Sequence, residues 1–164
     1  MAKVHFPLAC LVASSAFAIA DDAYRPDPTI AEKSIIERCL AESELAADRR
    51  KCIGKVAEPC RQTPAGASTA GMVDCDAREI TIWDELLNKS YYDARNLAKS
   101  DEIRAYLTDA QLAWIEFRDL ACAWPRKLFP NGTIQGPLAG DCILQQTALR
   151  AIDLLELKDW LEER

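Results

Sequence analysis

The sequence predicts an all-α fold, a disulfide-stapled antiparallel helical bundle with an N-terminal helical hairpin. Two observations predict it. Apolar residues recur at spacings of three and four along several long segments, and no segment shows sustained period-two alternation. Seven cysteines include one within the first 20 residues, and the six that follow are an even set, typical of a disulfide framework in an oxidising compartment.

Residues 1–20 predict a cleaved secretory signal peptide. Lys3 precedes the apolar stretch FPLACLVASSAFAIA, and Ala18–Ala20 is the favoured cleavage motif, with Ala16–Ala18 as the alternative. A lipoprotein cleavage before Cys10 would leave a very short apolar segment. The stretch is shorter than the about 20 residues that span a bilayer, so we expect a periplasmic or secreted protein with no stable membrane insertion after cleavage.

Residues 21–59 predict the helical hairpin. Thr29 and Glu32 have capping-box spacing, which begins a first helix that runs to about residue 41. A second helix is expected from Ser43 to about residue 57, where Pro59 ends it. This extension precedes the main body.

The main body, residues 60–164, predicts three longer helices after a Gly-, Pro-, Ser- and Thr-rich loop over residues 60–71. The first helix is expected from Cys75 to about residue 99. A short turn or helix follows. The next helix begins at the cap Thr108 and ends near residue 124, and the last covers about residues 138–161.

The charge balance favours a protein partner. Removing Lys3 with the signal leaves 19 basic residues from the total of 20, against 26 acidic residues, a net charge of −7. Nucleic acid is a poor partner for such a chain. A cationic protein suits it, although the acidity can also serve solubility alone.

Catalysis, metal binding and cofactor binding find no support in the sequence. The single histidine, His5, lies in the predicted signal, which excludes Ser-His and Cys-His catalysis and histidine metal sites from the mature chain. The cysteines lack the paired spacing of zinc sites. Glycoside hydrolysis needs two carboxylates in a cleft, and no pair is singled out. We predict no cofactor, no metal and no enzyme activity.

Arg118 is the most unusual residue of the segment QLAWIEFRDLACAW. It lies on a helical row with Gln111, beside an apolar stripe that includes Trp114 and Trp124, and the stripe tryptophans are expected in the core with Trp83. A guanidinium there needs a partner or water. The favoured interpretation is a tie to the preceding helix, where the candidates are Glu79, Asp84, Glu85 and Asn88. The alternative is that it presents charge to a partner protein.

The other candidate residues follow from similar reasoning. Gln111 is expected to cap a helix, with a ligand contact as the alternative. Tyr91 and Tyr92 are adjacent and point about 100° apart, so one can be buried while the other meets a partner. The candidate partner-binding residues are Asn88, Tyr92, Gln111 and Arg118, and the candidate structural residues are Trp83, Tyr91, Trp114 and Asp119.

Several of these residues recur in one ordered pattern. WDELLNKSYY is followed by LTDAQLAWIEFRDLAC, then by NGTIQG and Cys142. Over about residues 60–161 this order closely resembles the LprI-like lysozyme-inhibitor family. The resemblance implies an exported, all-helical, disulfide-containing domain over residues 60–164 that inhibits lysozyme, a cationic glycosidase. The alternative is a structural or envelope-associated interaction module without lysozyme inhibition.

The six cysteines allow fifteen pairings, among which sequence alone cannot choose. Sequential pairing is our prediction. The last pair has the clearest basis, because the end of one helix and the start of the next would meet in an antiparallel packing. The predicted bonds are Cys39–Cys52, Cys60–Cys75 and Cys122–Cys142.

Overall fold

A computed structural model describes residues 26–164, and the predicted signal peptide, residues 1–20, lies outside this part. The described residues contain helices and no β-strand, which confirms the predicted all-helical fold. A 3-10 turn over Arg50–Cys52 accompanies seven α-helices: α1 (Ile30–Ala41), α2 (Ala46–Arg49), α3 (Ala57–Arg61), α4 (Thr69–Leu97), α5 (Asp101–Ala121), α6 (Trp124–Leu128) and α7 (Gln135–Glu162).

The core lies mainly between the two long helices α4 and α7. Trp83 of α4 is completely buried and lies in the same cluster as Leu144 and Ile152 of α7. Full burial of one such aliphatic side chain stabilises the fold by roughly 1.5–3 kcal/mol. The expectation that Trp124 also lies in the core is wrong: it begins α6 and is 46% exposed.

The N-terminal extension begins as predicted and then departs from the prediction. The Thr29–Glu32 capping box starts α1, which packs Ile36 into the core. The second helix expected from Ser43 is wrong, because a turn with Gly54 at a φ of 89° separates the short helices α2 and α3. Pro59 lies in the first turn of α3 instead of ending a helix, a position where an amide N–H is not required.

Helix α5 begins earlier than predicted. Its cap is Ser100, whose side chain accepts a hydrogen bond from the backbone N–H of Ile103. Thr108 lies inside the helix and donates its hydroxyl to the carbonyl of Arg104. The predicted capping role of Gln111 is therefore wrong. Likewise, α4 begins at Thr69, six residues before the predicted start.

The predicted disulfide pairing is confirmed. Each bond joins Cα atoms 5.5–5.7 Å apart. The bonds link α1 to the 3-10 turn (Cys39–Cys52), α3 to α4 (Cys60–Cys75), and the end of α5 to α7 (Cys122–Cys142). Such bonds are typical of an extracytoplasmic compartment. Over residues 26–164, every helix is too short or too polar to cross a membrane.

Candidate binding surface

A buried carboxylate holds the N-terminal extension against the main body. Glu79 of α4 is fully buried, and its Oε2 accepts hydrogen bonds from the backbone N–H groups of Val56 at 2.9 Å and Ala57 at 2.7 Å. Its Oε1 accepts from the N–H of Gly54 at 2.7 Å and from the indole of Trp83 at 2.9 Å. Four donors compensate the burial of the charge.

Arg118 does not form the predicted tie to α4. Its Nε and Nη2 donate to Oδ1 of the adjacent Asp119 at 2.9 and 2.8 Å, and its guanidinium lies 5.1 Å from the ring centre of Trp114. Of the predicted partners, Glu79 is engaged as described above and Glu85 pairs with Lys33. The neighbouring carboxylate and the aromatic face of Trp114 both interact with the Arg118 guanidinium within α5. These contacts take the place of the predicted partner on α4.

Gln111 and Arg150 form the polar link between α5 and α7. The side chain of Gln111 is buried, and its Oε1 accepts a hydrogen bond of 3.0 Å from Nε of Arg150. The Arg150 guanidinium also lies 5.9 Å from the Trp114 ring centre. Burial lowers the pKa of Arg150, and the charge of Asp153 acts in the opposite direction. Trp114 is therefore flanked by two guanidinium groups, of which Arg150 links this part of α5 to α7.

The candidate residues of α4 lie apart from this cluster. Tyr91 is half-buried and donates its hydroxyl to Oγ1 of Thr108 at 3.2 Å. Its neighbour Tyr92 is 59% exposed, as the sequence spacing allows. Asn88 is exposed and donates to Asp84 at 3.2 Å. Asn88 and Tyr92 thus share an exposed row of α4, whereas Gln111 and Arg118 lie on the inner side of α5.

A second buried carboxylate lies where α3, α4 and α7 meet. Asp76 accepts hydrogen bonds from Nε of Arg61 at 2.7 Å and from its Nη2, which also donates to Asp141 at 3.0 Å. Burial raises the pKa of Asp76 to about 6, although the Arg61 charge acts in the opposite direction. The other oxygen of Asp76, Oδ2, has no hydrogen-bond partner among the described residues.

A small cleft opens beside the Cys122–Cys142 disulfide. Its volume is about 250 Å³, below the roughly 300–1,000 Å³ of typical ligand pockets. Its polar lining consists of Arg118, Asp119 and Arg126. The cleft is therefore smaller than a typical small-molecule site.

One side of α5, which we call the α5 flank, carries apolar residues that the fold leaves exposed. Tyr106 is 72% exposed, Phe117 is 58% exposed and Leu120 is 70% exposed. The residues recur at alternating spacings of three and four and fall within an arc of about 100°, beside the inner row of Gln111 and Arg118. The flank consists of the exposed residues Ile103, Tyr106, Ala113, Phe117 and Leu120 together with the half-buried Ala110.

Acidic residues border the α5 flank along its whole length. Glu102, Asp109 and Glu116 recur every seven residues and are all exposed. On a helix this spacing places them along one edge of the flank. Sequence reasoning missed this surface, although the heptad spacing of the apolar and acidic residues was a readable signal.

Comparison with known proteins gives one match. The family model described as lysozyme inhibitor LprI matches residues 60–154, which is more than half of the chain. The chain has no significant match among curated proteins or solved structures. The matched range contains α4, α5, α6 and most of α7, together with the Cys60–Cys75 and Cys122–Cys142 disulfides.

Proposed function

Because the chain belongs to the LprI lysozyme-inhibitor family, we propose that it is an exported protein that binds and inhibits a lysozyme-type glycosidase. The observation that carries this proposal is the family match over residues 60–154. The family is one of inhibitors, so the proposed activity is to block an enzyme and not to catalyse a reaction.

The charge of the chain supports a cationic target. The full sequence has a formal net charge of −6 at pH 7. Opposite net charges speed the encounter of two proteins and favour the complex at low ionic strength. A cationic lysozyme-type glycosidase is therefore a suitable partner, and a nucleic acid is not.

The proposed location is the periplasm or the exterior of the cell. The three disulfides support an oxidising compartment, where the substrates of lysozymes are also found. The predicted signal peptide over residues 1–20 supports the same location. We propose further that residues 60–164 form the inhibitory domain and that residues 21–59 are an extension, whose described part is fastened to that domain by the backbone hydrogen bonds that Glu79 accepts.

A cell-wall clearing assay tests the proposal. Purified, oxidised protein is titrated into lysozymes of different types acting on a suspension of cell walls. We expect clearing by at least one type to stop near an equimolar ratio. The reduced and alkylated protein is the control, because loss of the disulfides should unfold the binding surface.

The opposite result has a clear meaning. If a large molar excess of folded protein leaves clearing by every lysozyme unchanged, inhibition is rejected for those enzymes. The alternative prediction, a structural or envelope-associated interaction module, would then be favoured.

A further inference from the structure

We propose that the α5 flank is the surface through which the protein docks on a cationic partner. This inference rests on the proposed function, because the partner it names is the lysozyme-type glycosidase. The flank lies within residues 60–154, the part of the chain that the family model matches.

The first argument is that the flank exposes several large apolar side chains to water. Tyr106, Phe117 and Leu120 are mostly exposed, and Ile103 is 45% exposed on the same side of one helix. Contiguous groups of exposed apolar residues mark interaction sites in soluble proteins, whereas single exposed apolar residues do not. Aromatic residues are also enriched among those that dominate binding energy in interfaces.

The second argument is shape. Two small residues, Ala110 and Ala113, separate the larger pair Ile103 and Tyr106 from the pair Phe117 and Leu120. Phe117 follows Tyr106 by 11 positions, which corresponds to about 16 Å along a helix. The flank is therefore a shallow saddle, with space at its centre for a projecting apolar side chain of the partner.

The third argument is charge, and it selects the class of partner. Glu102, Asp109 and Glu116 border the flank, are exposed, and take part in no ion pair or side-chain hydrogen bond within residues 26–164. The positive residues of α5 lie elsewhere: Arg104 pairs with Asp101, and Arg118 lies on the inner side. A cationic protein would pair with the three carboxylates. A second copy of this chain would bring two acidic rows towards each other, which is unfavourable.

The fourth argument is that α5 is firmly positioned. Ser100 caps its first turn, Gln111 binds Arg150 of α7 at its centre, and the Cys122–Cys142 disulfide fixes its end. A surface held in its binding conformation before the encounter loses less entropy when the complex forms. The contacts of the inner row of α5 thus hold the neighbouring flank in its binding conformation.

The experiment compares variants in direct binding to the lysozyme that the wild type inhibits. F117A/L120A removes one end of the saddle, and its matched control is L112A, an apolar residue of the same helix that is 61% exposed on a different side. We expect the double variant to bind at least about ten-fold more weakly and L112A to bind like the wild type. All three should melt at similar temperatures, because the changed side chains are exposed.

A second set of variants tests the charge. In E102Q/D109N/E116Q three carboxylates are neutralised beside the flank, and in E37Q/E42Q/E44Q three exposed carboxylates are neutralised elsewhere. Both sets change the net charge equally. We expect the first to slow association markedly more than the second, with the difference shrinking as salt is added.

The outcomes separate the surface from the function. Full binding and inhibition by F117A/L120A would overturn the docking surface and leave the proposed inhibition standing.

If the wild type binds no lysozyme, the proposed function fails, and the flank is tested with a synthetic amphipathic helix that carries leucine at its core positions and lysine beside them. Binding of this peptide by the wild type, lost in F117A/L120A and absent for a glutamate version, supports the flank as a cationic docking surface. Failure to bind the lysine peptide overturns it, as does sedimentation of the wild type as a dimer that F117A/L120A dissociates.

Discussion

The carboxylate of Glu79 accepts a hydrogen bond of 2.9 Å from the indole nitrogen of Trp83, one turn further along α4, and both side chains are fully buried. The same carboxylate accepts three backbone N–H groups from residues 54–57. One acidic residue therefore accepts hydrogen bonds both from the largest side chain of the core and from the backbone of the turn that leads into α3. This explains why the extension turns at Gly54 and does not continue as a helix.

We expect Glu79→Gln to lower the free energy of unfolding by about 2–4 kcal/mol, because the amide has one acceptor oxygen and faces four donors. Urea unfolding followed by far-UV circular dichroism measures the change. Glu37→Gln, at an exposed position of α1, is the control and should change stability little. Equal midpoints for the two variants would contradict the role of Glu79.

The capping box of α1 could be predicted because both of its partners lie within one turn, so neighbouring residues alone determine where the helix begins. The start of α5 could not. Thr108 has the same spacing to Gln111 as a capping box, yet Ser100 caps the helix and Thr108 bonds to the backbone inside it. Tertiary contacts, such as the bond between Tyr91 and Thr108, decide which of the two plausible caps begins the helix. A local sequence pattern does not contain these contacts.

We expect Arg150→Met to destabilise the protein more than Arg118→Met. Loss of Arg150 leaves the buried Oε1 of Gln111 without its donor, which costs about 1–3 kcal/mol. Loss of Arg118 removes a bond to its exposed neighbour Asp119 and a contact with Trp114, together about 1 kcal/mol or less. Parallel thermal and urea unfolding of the two variants measures the order, and the reverse order would show that Arg118 has a structural role which its contacts do not reveal.

The orientation of α5 was the main difficulty in predicting the candidate site. The sequence places apolar residues on two adjoining arcs of this helix, so hydrophobicity alone does not say which arc is buried. The structure turns the row of Gln111 and Arg118 inward and leaves Phe117 and Leu120 exposed. The deciding partner, Arg150, lies 39 residues away on α7, and a pattern confined to one helix cannot identify it.

Asp76 gives the protein a specific dependence on pH. Its pKa is raised by burial from 3.8 to about 6, so between these values the folded protein holds a proton that the unfolded chain has released. The proton held by Asp76 stabilises the folded state by about 1–3 kcal/mol. This stabilisation is fully present below pH 3.8 and is lost progressively as the pH rises from 3.8 through about 6. Asp76→Asn mimics the protonated group and should lack this decline.

The measurement is the difference in unfolding free energy between wild type and Asp76→Asn at several pH values from 4 to 7.5. Taking the difference cancels the titration of the other carboxylates. We expect the wild type to lose stability relative to the variant as the pH rises from 4, with most of the change complete by about pH 6 and little beyond it. A difference that is constant, or that grows in favour of the wild type, would show that the ion pair with Arg61 outweighs the burial of the charge.

The disulfides of α5 and of the extension should have separable effects. C122S/C142S opens a connection between residues 20 apart in sequence, and C39S/C52S opens one between residues 13 apart, so chain entropy predicts similar losses of about 2–4 kcal/mol. Their local consequences differ, because the first bond fixes the end of α5 and the second lies outside the range that the family model matches. Hydrogen exchange should therefore accelerate at the C-terminal turns of α5 in C122S/C142S and remain unchanged there in C39S/C52S. If both variants accelerate exchange in α5 equally, the helix is held by the general stability of the fold and not by its own disulfide.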